Sequence, residues 1–234
     1  MSTFVTRRAA FGIAATAALA SLTACASDIR PLSDPSTPKE QRSYKGELKF
    51  NSYESRGTYV PATSSKKAEN PPKPIPPAKM RAKTTEGMYA AIGFWVASFN
   101  YLILSGDIEP FMAVDINRND IYKAEAFSKL YKSNTGWMYG ADAPVSANLT
   151  EDAPEQVNEH QYRWRATSRY HKKTTIHYTD GRELPMTSLD GNTGDYDFFF
   201  ALKYQDGAWT VWNERVKLAP ISPTSSASSS GASV

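Results

Sequence analysis

The sequence predicts an α+β domain, with about three helices packed on one face of a curved antiparallel sheet of four to six strands. Three observations carry this. The stretch from Thr84 to Asp107 repeats its large apolar residues at helical spacing. After Gly136 the apolar period changes from 3.6 to 2. Two Asp-Gly pairs, Asp180-Gly181 and Asp206-Gly207, sit between alternating runs and mark hairpin turns. Helices ahead of a run of hairpin-linked strands indicate segregated α and β layers around one core.

In the first helix, Met88, Ile92, Trp95, Phe99 and Leu102 define one buried face. Phe94, Val96, Tyr101 and Ile103 widen it, so the helix is expected to be covered on more than one side. Thr84 or Thr85 suits the N-cap, and Glu86 lies in the first turn, where the helix dipole favours an acid. Gly93 costs about 1 kcal/mol of helix propensity relative to Ala, a price consistent with close approach of another element. Gly106 fits the residue after the helix, and Asp107 fits the N-cap of a short second helix, "IEPFMAV". A third helix is expected from about Asp120 to Lys132, with Ile121, Ala124, Phe127 and Tyr131 on one face.

The strand region opens with "HQYRWRATSRY". There His160, Tyr162, Trp164 and Ala166 alternate with Gln161, Arg163, Arg165 and Thr167, giving one apolar and one cationic face. "TTIHYTDGREL" reads as a hairpin with a two-residue turn. "YDFFFALKYQDGAWTVWNERVKL" reads as another. Its first arm presents Tyr196, Phe198, Phe200 and Leu202; its second presents Trp209, Val211 and Asn213.

Flanking segments differ in composition. Arg7 and Arg8 precede the uncharged run Ala9 to Ala24, which is 16 residues long. A spanning helix needs about 20 apolar residues. A basic start, a short apolar run and small residues before a cut describe a secretory signal peptide. Leu22, Thr23, Ala24 and Cys25 together resemble the bacterial lipobox. That resemblance implies a diacylglyceryl group on Cys25, with cleavage before it, so that residues 1–24 are a lipoprotein signal peptide. Acyl chains contribute about 0.8 kcal/mol per buried methylene, enough for two chains to hold a domain on a membrane. The expected location is therefore the extracytoplasmic face of the cell membrane. The Arg7-Arg8 pair leaves the general secretory and twin-arginine export routes both open. No later stretch is expected to span a membrane.

Residues 25–80 read as a lipid-anchored, proline-rich, disordered linker. Ala26 to Met80 holds nine of the fifteen prolines, and "NPPKPIPP" suits a polyproline II spacer. Residues 81–218 read as the folded domain, one core in size. Residues 219–234 carry seven serines and read as a disordered tail. Residues 26–80 carry a net charge of +4 and residues 81–234 a net of −3, so the domain lacks the basic balance that nucleic-acid binding requires.

For chemistry, Tyr101, Asp107, Tyr139 and His177 are the candidate pocket residues, and His160 is a further candidate for proton transfer. No His or Cys spacing suits a metal, and no phosphate-binding loop or nucleophile elbow occurs, so no metal, cofactor or catalytic residue is expected. The three histidines, His160, His171 and His177, have no carboxylate pattern near them in sequence.

"YVPATSSKKAENPPKPIPPAKM" followed by "TTEGMYAAIGFWVASFNYLILSGD" is similar to an actinobacterial lipoprotein family, domain of unknown function 6318. The resemblance rests on Tyr59 to Ala62, Lys67 to Pro74, Thr84 to Gly87, Asn100-Tyr101 and Gly106-Asp107, and spans roughly residues 44 to 218. It implies no assigned activity. Members often carry cysteines after the Gly-Asp turn; this chain has none there, so any family disulfide is absent. Three helices before a meander also look like the nuclear transport factor 2-like cone, which includes ketosteroid isomerase and polyketide cyclases. The expected role is a non-enzymatic binding or interaction domain presented at the envelope. Its expected partner is an envelope protein, a wall polymer or a small apolar ligand. The alternative is a small-molecule binder or an isomerase- or cyclase-like enzyme using the cone pocket. The five tryptophans, Trp95, Trp137, Trp164, Trp209 and Trp212, are candidates for core or pocket lining.

Overall fold

The computed structural model of the chain describes residues 42–54, 56–115, 117–189 and 195–215, and of residues 118 and 119 only the backbone. Leu22, Thr23, Ala24 and Cys25, the signal peptide and the 219–234 tail lie outside these residues. Among the described residues the architecture is α+β, with three α-helices: α1 (Thr85–Ser105), α2 (Glu109–Met112) and α3 (Arg118–Lys132). The helices do not open the domain, contrary to expectation. Three two-residue strands precede them, β1 (Gly46–Glu47), β2 (Tyr53–Glu54) and β3 (Lys73–Pro74).

Eight strands follow: β4 (Gly136–Tyr139), β5 (Val145–Leu149), β6 (Glu155–Asn158), β7 (Gln161–Tyr170), β8 (Thr175–Tyr178), β9 (Glu183–Pro185), β10 (Tyr196–Gln205) and β11 (Ala208–Arg215). The main sheet runs β1-β5-β7-β10-β11, with β6 also pairing β7. A second sheet is β4-β8-β9, and β2-β3 form a third. Every strand pairing is antiparallel. The expected single sheet is thus divided, because β4 pairs β8 rather than joining β5.

The register places the expected apolar rows inward. Trp164 of β7 pairs with Phe200 of β10, and Val211 of β11 pairs with Leu202. All four side chains are buried. His160 is not part of the inward row; it lies exposed in the turn before β7. The β10–β11 hairpin turns at Asp206 and Gly207, whose φ angles of 54° and 77° are both positive, as a type I′ turn requires. The β8–β9 loop is one residue longer than expected: Tyr178 N–H donates to Arg182 O at 2.9 Å, and Gly181 takes the positive φ of 88°.

The caps of α1 follow the sequence. Thr84 Oγ1 accepts the Gly87 N–H at 3.1 Å, and Gly106 at φ 77° donates its N–H to Leu102 O. The helix is 21 residues long and apolar enough to span a membrane, which corrects the expectation that no later stretch qualifies. In the fold 89% of its apolar window is buried, so it is the core helix.

Burial of α1 on more than one side explains the largest departure from expectation. The sheet covers one side of the helix, and the remaining apolar side needs a cover. Residues 42–80, read as linker, supply it. Phe50 packs 6.1 Å from Phe94, Tyr44 packs 5.0 Å from Tyr89, and Lys49 N–H donates to the Tyr89 hydroxyl. A Cβ on Gly93 would meet Phe50 at 3.3 Å, so this glycine lets the segment close on the helix. Farther along, Trp137 Nε1–H donates to Thr63 O at 2.7 Å, Lys67 Nζ donates to Asn134, and Met80 is buried. The ordered domain therefore begins well before residue 81.

Candidate functional site

The expected pocket residues form two pairs. Tyr101 is a buried member of α1 whose hydroxyl is pushed up in pKa by burial. Asp107 binds Lys73 Nζ at 3.2 Å and accepts the Glu109 N–H at 3.0 Å, which is the expected capping role performed one residue further out. Lys73 also stands 6.0 Å from the Tyr101 ring, so it links these two. Tyr101 lines a cavity of about 270 Å³ with Arg56, Lys67 and Tyr131. The second pair meets at Glu183. Its carboxylate accepts from Tyr139 Oη–H at 3.0 Å and lies 3.4 Å from His177 Nδ1. His177 thus has a carboxylate neighbour after all, brought by the β8–β9 register rather than by local sequence. Its ring rests on Trp137, 4.4 Å between centroids. Neither pair lines the cavity between α1 and the main sheet.

That cavity, about 290 Å³, is the candidate site. Its buried wall is Trp95 and Phe99 of α1, Phe111 of α2 and Asp120 of α3. Tyr170, Tyr196 and Asn213 come from β7, β10 and β11, and Lys123, Asp197 and Arg215 are its exposed members. The ring centroids of Trp95 and Phe111 lie 5.2 Å apart, and those of Phe99 and Phe111 lie 5.3 Å apart, so the three rings form one packed surface. The volume is at the lower end of the range for small-molecule sites.

Two buried carboxylates organise it. Asp120 is 8% exposed; its Oδ1 accepts from Asn213 Nδ2 at 2.7 Å, and Oδ2 faces the Asn213 N–H at 3.4 Å. Burial holds its carboxyl above the usual range, opposed by the two Asn213 bonds and the nearby Lys123 charge. Asp115 lies behind Trp95 and is 1% exposed. Its Oδ2 accepts the Trp95 Nε1–H at 2.6 Å and its Oδ1 accepts the Asn117 N–H at 2.7 Å. Burial pushes this carboxyl up to about 7, against the pull of those two donors. Val211 N–H donates to Val114 O at 2.9 Å and ties the same region to β11.

Sequence reasoning named Trp95 and Phe99 as core and missed the carboxylates. Asp120 resembles any acid in a first helical turn, and Asp115 resembles any acid in a loop. Asn213 carried a signal: a polar residue at an inward position of a strand whose other inward residues are Trp209 and Val211. Among the described residues, no group of three or more His, Cys, Asp or Glu side chains is placed to hold a metal ion.

Among solved structures, the intermembrane space region of chloroplast protein ARC6 matches with 7% identity, covering 58% of this chain and 99% of that one, at a TM-score of 0.37. A likeness at that score carries no argument about fold, and it gives the nuclear transport factor 2-like expectation no support. No curated protein matches the chain. Residues 57–215, from the turn before the proline-rich stretch to the end of β11, match the model of DUF6318, a family of unknown function, and the chain belongs to that family.

Proposed function

We propose that the protein is a lipoprotein of the bacterial cell envelope, held on the extracytoplasmic membrane face through Cys25, whose domain binds a small molecule between α1 and the main sheet. The observation that carries the binding role is the aromatic cavity of about 290 Å³ with Asp120 in its wall. Aromatic rings with a few convergent polar groups around a cleft of this size are the usual lining of a small-molecule site. The lipobox resemblance at Leu22 to Cys25 supports the anchor. The role is one of capture or presentation near the membrane.

Ligand-observed NMR with a set of single-ring neutral, cationic and anionic aromatic fragments tests the reading. At least one fragment is expected to bind saturably, and the bulkier wall of Phe99→Trp is expected to abolish binding while the domain stays folded. Absence of any saturable binder, or binding indifferent to Phe99→Trp, counts against it.

A proton-transfer enzyme is the second reading, favoured by one observation: a buried carboxyl at Asp115 pushed up to about 7. Asp115 reaches the cavity only through Trp95, which weighs against direct contact with a substrate. Solvent proton exchange into a bound carbonyl compound, lost in Asp115→Asn, would establish it over the binding role.

A further inference from the structure

The cavity between α1 and the sheet separates its charges by depth. Its buried lining consists of three aromatic rings, Trp95, Phe99 and Phe111, and one carboxylate, Asp120. Its cations, Lys123 and Arg215, belong to the exposed part of the lining. Asp197, the other acid there, is also exposed and is engaged by Arg165 at 3.5 Å. The inner wall therefore carries one carboxyl group with neutral amide donors from Asn213 and no buried cation among the lining residues.

Aromatic faces are negative at their centres and attract cations, more strongly where water is excluded. A buried carboxylate is costly unless a positive charge or strong donors compensate it. Asn213 offers Asp120 one good bond at 2.7 Å and one long contact at 3.4 Å, and the Lys123 charge favours its ionised form from the exposed rim, so no cation is buried beside it among the lining residues. The second buried carboxyl, Asp115, is shielded from the cavity by Trp95, whose indole N–H it accepts.

We infer that the ligand of this cavity is a small organic cation, an amine or substituted ammonium, whose charged head sits between the Trp95–Phe99–Phe111 wall and Asp120. This rests on the small-molecule reading above and names its ligand class. An anion would meet the rim cations first but would find the Asp120 carboxyl at depth. A neutral ligand would gain from the rings alone.

The probe pair is choline and its neutral carbon isostere, 3,3-dimethylbutan-1-ol, titrated against the intact protein by calorimetry and tryptophan fluorescence, with phenylacetate as the anionic arm. Choline is expected to bind at least 10-fold more tightly than the isostere. Asp120→Asn, which preserves size and an acceptor for Asn213, is expected to lower choline affinity about 10-fold and leave the isostere unchanged. Arg215→Met removes a rim cation and is expected to raise choline affinity a few-fold, with no demand on the core. Equal binding of choline and the isostere, or tighter binding of phenylacetate, overturns the cation assignment while leaving a small-molecule cavity. If none of the three probes binds, the cation assignment falls, and the aromatic-fragment screen decides the small-molecule reading separately. Should Asp120→Asn not fold, judged by its melting curve, the Arg215→Met shift and the isostere comparison decide the matter.

Discussion

Asp115 gives the fold a pH dependence that can be worked out. Replacing it with Asn removes a titrating group while keeping an oxygen to accept the Trp95 indole N–H. In the unfolded chain the carboxyl has the ordinary value of 3.8; in the fold, burial pushes it to about 7. The folded state thus binds the proton more tightly. Its stabilising effect is full below about pH 4 and is lost as pH rises to about 7. Each pH unit in that window changes stability by up to about 1.4 kcal/mol. Between pH 5 and pH 7 the native protein is expected to lose roughly 2 kcal/mol from this one group. For a domain of this size that is on the order of 5–10 °C in melting temperature. The assay is a melting series from pH 5 to pH 8 on the protein and on Asp115→Asn. The difference between the two curves isolates residue 115 from the other groups that titrate. The variant is expected to gain on the native protein as pH rises. Parallel curves across the range would refute the reasoning and place the Asp115 carboxyl in its ordinary range.

Gly106→Ala is expected to cost about 2–4 kcal/mol in urea unfolding, because φ is 77° and an added Cβ would lie 2.3 Å from Tyr131 Cβ. Phe50→Ala is expected to cost about 1–3 kcal/mol, since it uncovers Phe94 and Gly93 on the far side of α1; a chain started at residue 81 is expected to aggregate or unfold, and a stable, monomeric 81–234 fragment would contradict the packing described for residues 42–80. Cys25→Ala is expected to move the protein from the membrane pellet to the soluble fraction, and continued pelleting after a salt wash would count against the lipid anchor. Mature protein is expected to carry the mass of a diacylglyceryl group on residue 25, read by intact mass spectrometry.

The parts of this protein legible in its sequence are those set by neighbours in the chain. Thr84 caps α1 because its side chain reaches three residues ahead, and Gly106 ends the helix because a positive φ suits glycine. Asp206-Gly207 forces its own tight turn, and the period-2 rows of β7 and β10 choose their inward faces without reference to a partner. Even the need for cover on two sides of α1 was visible in Phe94, Val96, Tyr101 and Ile103. What covers it was not visible. A proline-rich, sparsely apolar segment reads as a spacer, and only the docking of Phe50 and Tyr44 onto α1 shows that its few large residues are placed to seal the helix. The site is decided at the same level. Asp120 and Asn213 are 93 positions apart, and Asp115 and Trp95 are 20 apart; each pair meets through packing of separate elements. Local sequence determines how each element forms and which face it buries, because those energies act over a few residues. Which carboxylates lose their water, and against which rings, depends on how the finished layers close, and that is a property of the tertiary structure alone.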